Sequence, residues 1–212
     1  MRVKLLLASS NAGKLREYRA LVVGCADKVV IDLPPGFSEF PAFPEDAPTF
    51  AENAAGKALH YSRFANEIVF ADDSGLVVES LGGAPGVRSA RYAGENASDA
   101  QRNVKLLAEM REKTGDARKA KFVCVIAVAK QGKMLVVVSD SVEGTIANEP
   151  RGSNGFGYDP LFYFASHKKT FGELIEAEKN QLSHRGKAFR RFHDALISMT
   201  GPDLESPLER KL

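Results

Sequence analysis

Four stretches of this 212-residue chain gather side chains that can bind an anion, hold a hard cation or grip a flat polar ligand. The first is Ser9-Ser10-Asn11-Ala12-Gly13-Lys14, where an apolar run at 3–8 gives way to polar residues. If a helix begins there, its first N–H groups point outward unpaired and its dipole favours a negative charge. Two hydroxyls, an amide and the Lys14 cation would complete a phosphate cradle. The spacing is not that of a Walker A loop, and an ordinary capped helix would use the same residues. The second stretch, Asp72-Asp73-Ser74-Gly75, follows the apolar segment 68–71. Adjacent carboxylates in a crevice repel one another unless a cation lies between them. Oxygen-only ligands select a hard ion such as Mg2+, which keeps several waters and is shared with substrate phosphates. Side chains alternate along an extended chain, so one carboxylate would hold metal or activate water while the other supports it. Asp-Ser-Gly is equally ordinary turn chemistry.

The third stretch is Gly152-Ser153-Asn154-Gly155-Phe156-Gly157-Tyr158-Asp159-Pro160. Its glycines allow close backbone approach to a flat ligand, Phe156 offers a face for stacking, and Asp159 can accept from a base or sugar donor. The fourth, 178–187, packs Lys179, His184 and Arg185 as donors for a phosphate or a ring oxygen. Glu45 and Asp46 in a proline-rich loop, and Lys57 in an alanine-rich segment, could add a ligand and a cation, although each alone reads as a solvated surface group. A cradle, hard-metal carboxylates, an aromatic platform and cationic donors together fit a nucleoside triphosphate better than a sugar, peptide or lipid.

The rest of the composition sets bounds. Twenty-nine basic and 27 acidic residues give a net charge of +2, so no global field points to a nucleic acid or a membrane surface. The longest apolar run, 122–129, is strand-sized and far short of the ~20 residues of a membrane span. The apolar start is too short for a secretory signal, and Cys25 and Cys124 have no metal-ligand spacing. A soluble cytoplasmic protein is expected.

The elements that must position these groups alternate between strand and helix. Strands are expected at 3–8 and 28–33, with a helix from the Ser9-Ser10-Asn11 cap to about Val23. Five prolines make 34–48 a loop, and Thr49-Phe50-Ala51-Glu52 opens a helix to about Ala65. A short strand at 68–71 is expected to end at the carboxylates and a second to resume at 76–79. A helix from Ser98 to near Gly115 precedes 121–130, apolar on both alternating faces and so covered on both sides. Gln131-Gly132 turns that strand into an antiparallel partner at 133–142. A last helix from about Ser183 buries Phe189, Phe192, Leu196 and Met199, and the charged tail 201–212 is expected to fray. The expected fold is α/β, an elongated mixed β-sheet with flanking helices forming two lobes around a cleft, with 1–200 as a single domain.

Six motifs then recur in order: Ser9-x-Asn11-x-Gly13-Lys14, Thr49-Phe50-x-Glu52-Asn53-Ala54, Ala71-Asp72-Asp73-Ser74-Gly75-Leu76, Gly82-Gly83-x-Pro85-Gly86-x-x-Ser89-Ala90-Arg91-Tyr92, Gly155-Phe156-Gly157-Tyr158-Asp159-Pro160 and Ser183-His184-Arg185-Gly186. Together they make the chain resemble the inosine triphosphate pyrophosphatase family over about 3–192. The resemblance implies Mg2+-dependent hydrolysis of dITP, ITP and XTP to the monophosphate and pyrophosphate by a cytoplasmic homodimer. It implies phosphate binding by 9–14, Lys57 and Lys179, and Asp73 as acid/base and metal ligand with Asp72 as a supporting metal carboxylate. It implies a second metal carboxylate at Glu45 or, one residue on, Asp46. Ser74 would contact substrate, 156–159 would hold the nucleotide with Phe156 on the base, and His184 and Arg185 would read it. Two rivals remain open: a Maf-like pyrophosphatase acting on other nucleotides, and a nucleotide-binding regulatory module without turnover.

Overall fold

The structure is a computed structural model that describes residues 3–23 and 29–198; Cys25, Met199 and the tail 201–212 lie outside them. A seven-stranded sheet runs in the order β2-β1-β3-β4-β5-β6-β7. Its strands are β1 (Val3–Leu7), β2 (Val29–Asp32), β3 (Ile68–Val78), β4 (Lys119–Lys130), β5 (Lys133–Ile146), β6 (Phe162–Phe164) and β7 (Lys169–Thr170). β1 pairs in parallel with β2 and β3, and every later pairing is antiparallel, so the sheet is mixed as expected. Gln131 and Gly132 both adopt positive φ, the geometry of a two-residue hairpin turn between β4 and β5.

One expectation is corrected here. The carboxylates do not end a strand, because β3 runs unbroken from Ile68 to Val78. Asp72, Asp73, Ser74 and Gly75 pair with Ile126, Val125, Cys124 and Val123. β4 offers a ladder along its whole length, and that non-local pairing outweighs the local turn preference of Asp-Ser-Gly. Three short elements were not anticipated either: β6, β7 and the seven-residue α4 (Glu176–Leu182).

The longer helices are α1 (Ala12–Leu21), α2 (Phe50–Tyr61), α3 (Asp99–Glu109) and α5 (His184–Ser198). On one sheet face, Leu5, Leu7, Phe70, Ile126 and Val128 pack against Tyr18 of α1 and Phe189, Phe192 and Leu196 of α5. Further along the same alternation, Leu76, Val78, Phe122 and Val142 meet Leu106 of α3 with Phe162 and Phe171. Asp72 and Ser74 fall between the two clusters on this face. The opposite face places Val69, Ala71, Val125 and Ala127 under Ala54 and Ala58 of α2, whose small side chains let the helix lie close.

β1 stops pairing at Leu7, after which Ala8 N–H donates to Phe70 O at 2.8 Å. The edge of β3 is next covered at Leu76, whose N–H donates to Ser89 Oγ at 2.9 Å, and at Val78, whose N–H donates to Ala84 O at 3.1 Å. Residues 72–75 therefore face a gap between β1 and the 82–91 loop. Gly75 marks its border: a Cβ there would collide with Ser89 Oγ and lie 2.5 Å from Gly86 O. Gly75→Ala is expected to lower stability by roughly 1–3 kcal/mol through forced displacement of that loop. Urea unfolding checks this, and an unchanged midpoint would mean the loop yields freely.

Candidate active site

The gap opens into a cavity of about 240 Å³. Its wall includes Ser9, Ser10, Asn11, Lys14, Glu45, Lys57, Asp73, Ser74, Phe156, Gly157, Tyr158, Asp159, Lys179, His184 and Arg185. The four stretches singled out in the sequence therefore converge. Ala12, Gly13, Asp46 and Asp72 do not line it.

At one end α1 begins. Asn11 is its N-cap, with Oδ1 accepting Lys14 N–H at 3.0 Å, while the Asn11 N–H donates to Ser9 Oγ at 3.2 Å. Such a cap leaves the N–H groups of the first turn available to an anion. Gly13 serves by its smallness, since a Cβ there would sit 2.8 Å from the Phe156 ring. Lys14 Nζ lies 2.5 Å from Asp72 Oδ1 and donates to the open-edge carbonyl of Asp72 at 3.3 Å. Lys57, buried on α2, points its Nζ to Glu45 Oε2 at 2.9 Å.

Asp73 projects from β3 toward α2 and is 7% exposed. Its Oδ2 accepts from Asn53 Nδ2 at 3.0 Å and its Oδ1 from Ser74 N–H at 3.2 Å. Burial pushes its carboxyl up, partly offset by Lys14 and Lys57. Asn53 also accepts Ala47 N–H at 3.0 Å and donates to Ala47 O at 3.3 Å, tying the Glu45 loop to Asp73. From across the cavity mouth, the Arg91 guanidinium donates to Glu45 O at 2.6 Å.

Asp72 is set apart from the cavity that Asp73 lines. Strand alternation turns it to the opposite face, where it is fully buried. Lys14 takes one oxygen, and Arg185 Nε donates to the other at 3.0 Å. Burial opposes ionisation there, but the two cations outweigh it and hold the carboxyl well below the usual range. With a cation beside each oxygen, Asp72 serves here as a buried counter-ion to Lys14 and Arg185.

At the other end, Lys179 Nζ lies 2.5 Å from both Asp159 Oδ2 and Glu17 Oε1, and Arg185 Nη1 lies 2.5 Å from Glu17 Oε2. Lys14, Lys179 and Arg185, which line the cavity, are thus balanced charge for charge by Asp159 beside them and by Glu17 and Asp72 behind. Burial alone would raise the Glu17 carboxyl, but Arg185 and Lys179 lower it overall. Phe156 packs with Lys179 Nζ 5.0 Å and the Arg185 guanidinium 5.4 Å from its ring centre. His184 stacks on Phe122 at 4.7 Å and 9°, and its buried Nδ1 has no hydrogen-bond partner. Burial, with the charges of Arg185 and Lys179, drives its pKa well below the ordinary value and keeps the ring neutral.

Sequence reasoning missed Glu17, Asn53, Arg91, Arg102 and Phe122. Asn53 and Arg91 stood in the quoted motifs without a role, and Glu17 left a signal in following Lys14 by three residues and so sharing its helix face.

Among the described residues no cluster of three or more ligating side chains could hold a metal unaided. Asp73 and Glu45, which line the same cavity, leave a two-carboxylate set. Hard oxygen donors, few in number and beside a phosphate cradle, suit Mg2+, which completes its shell with water and substrate oxygens.

A mixed sheet with a crevice cationic at one end and aromatic at the other describes an α/β protein that handles nucleotides. The chain belongs to the Ham1 family, whose model matches residues 5–195. A dITP/XTP pyrophosphatase of Desulforamulus reducens is 46% identical over 197 residues, covering 92% of this chain and 96% of that one. Another, of Geobacillus kaustophilus, is 46% identical over 200 residues, covering 93% and 96%. The solved structure of a HAM1 protein from Coxiella burnetii superposes with a TM-score of 0.81 at 41% identity, covering 92% of this chain and 99% of that one. Among the described residues no helix is long and apolar enough to cross a membrane.

Proposed function

We propose that the protein hydrolyses deaminated purine nucleoside triphosphates (dITP, ITP and XTP) to the nucleoside monophosphate and pyrophosphate. The observation that carries this reading is the state of Asp73. Of the three carboxylates lining the cavity, Glu45 is paired with Lys57 and Asp159 with Lys179, while Asp73 is held by the neutral donors Asn53 and Ser74. Asp73 is therefore placed to take a proton from a water that attacks the α-phosphorus, with the α–β bridging bond breaking and pyrophosphate leaving. Lys14, Lys57 and the first turn of α1 meet the charge that develops on the phosphate oxygens, where stabilisation of this kind does most of the work. Mg2+, when bound by Asp73 and Glu45, would supply further neutralisation of the phosphate oxygens. Asp46 is not needed for this, since Glu45 is the loop carboxylate on the cavity.

The base end supports the purine choice. Phe156 supplies a stacking face, and neutral His184 offers one N–H to the 6-oxo group of hypoxanthine or xanthine. Adenine would present an amine to that donor and leave both unpaired, a mismatch that costs far more than a misplaced methylene. A panel assay of pyrophosphate release tests the reading. ITP, dITP and XTP are expected to exceed dATP by roughly a hundredfold or more in kcat/KM, and chelation of Mg2+ is expected to abolish release. Equal rates across the panel would overturn the substrate assignment, and binding without release would favour a regulatory module. The homodimer and the cytoplasmic setting implied by the resemblance belong to the same proposal, and light scattering of the purified protein tests the first.

A further inference from the structure

The loop that presents Phe156 is fastened by a helix that contributes neither fastening residue to the cavity wall. Gly157 N–H donates to Asp99 Oδ2 at 2.6 Å, and Asn103 Nδ2 donates to Gly157 O at 3.1 Å. Asp99 and Asn103 stand one turn apart on α3, so they share a face and clamp one residue from both sides. The clamp is itself braced. Arg102 pairs with the other oxygen of Asp99 and donates to Ala97 O at 2.6 Å. Ser98 and Gln101 form a reciprocal capping box at the start of α3, and Leu106 anchors the helix in the core.

Gly157 has φ +64°, a left-handed conformation open to glycine but not the only one it can take, and its neighbour Phe156 has its N–H fixed by Asp159 Oδ2 at 2.8 Å. Asn103 is 93% buried yet leaves its own Oδ1 without a partner. A residue kept only for packing would not strand a buried acceptor, so the donor to Gly157 O is what the amide provides.

We propose that Asp99 and Asn103 are positioning residues for the nucleobase: they fix the peptide planes on either side of Gly157 and thereby the height and tilt of the Phe156 ring. They touch neither base nor phosphate. This rests on the nucleotide reading above and extends it to residues outside the cavity wall.

The test separates the two ends of the ligand. Asp99→Ala, Asn103→Ala and Asp99→Asn are compared with wild type for calorimetric binding of inosine monophosphate and of pyrophosphate, and for KM and kcat on ITP. Asp99→Ala is expected to weaken inosine monophosphate and raise KM roughly tenfold, the loss that follows removal of a charge-assisted hydrogen bond, and Asn103→Ala roughly fivefold, the loss of a neutral one. Pyrophosphate affinity should stay within about twofold and kcat should fall less than KM rises. Asp99→Asn keeps an acceptor for Gly157 N–H and should recover most of the affinity. Equal weakening of both probes, or none, in a folded variant would overturn the proposal. Should Asp99→Ala fail to fold, Asn103→Ala decides alone, because it leaves the Asp99–Arg102 pair in place. Wild-type protein that releases no pyrophosphate from ITP would overturn the functional reading instead, so the two failures are distinct.

Discussion

Asp73→Asn is expected to slow ITP turnover by roughly a thousandfold or more, while the protein melts within about 5 °C of wild type. The substitution keeps the shape of the side chain and its seat between Asn53 Nδ2 and the Ser74 N–H. One of those two hydrogen bonds is weakened, at a cost of about 1 kcal/mol. What disappears is the cavity carboxylate without a cation at salt-bridge distance among the described residues, and with it both the proposed proton acceptor and half of the proposed metal-binding pair. Single-turnover release of pyrophosphate, alongside a melting curve, separates chemistry from folding. Turnover within tenfold of wild type would show that the water is activated elsewhere.

The second large effect is on stability. Glu17→Leu is expected to destabilise the protein by roughly 3–5 kcal/mol, the loss seen when one member of a buried ion pair is removed. Glu17 is 3% exposed and receives both Lys179 and Arg185. Without it the three cations Lys14, Lys179 and Arg185 face only Asp72 and Asp159, leaving a net positive charge beside the cavity. Urea unfolding measures the loss, and a change below about 1 kcal/mol would mean that water reaches the cluster and screens it. The pH dependence has a definite sign. Glu17 has a lowered pKa in the folded state, so its contribution is present above the ordinary glutamate range and is lost as pH falls through the depressed value. Glu17→Gln should lack that component of the acid-unfolding curve.

Much of this arrangement was legible in the sequence. The Asn11 cap, the Thr49 start of α2, the turn at Gln131-Gly132 and the apolar spacing of α5 are all local signals, and the structure has each. The parts that were not legible depend on partners far away along the chain. β3 is continuous only because β4, some fifty residues later, pairs with Asp72 through Gly75. Alternation already implied that Asp72 and Asp73 diverge, but nothing local showed that Arg185, 113 residues on, would claim Asp72. Glu17 meets Arg185 across 168 residues, and Asp99 meets Gly157 across 58. The short helix α4 carries too few apolar residues in its seven positions for a period to register.

The unbroken β3 also works as a gauge. Asp73 stands on one rung of the β3–β4 ladder, and Phe122, on which His184 rests, stands opposite Leu76 three rungs away. At ~3.3 Å per residue these levels are about 10 Å apart. That interval is built into one extended segment of backbone and cannot stretch when a loop moves. The spacing between Asp73 and the aromatic seat of His184 is thereby calibrated by strand geometry, and only a slip in register between β3 and β4 would reset it.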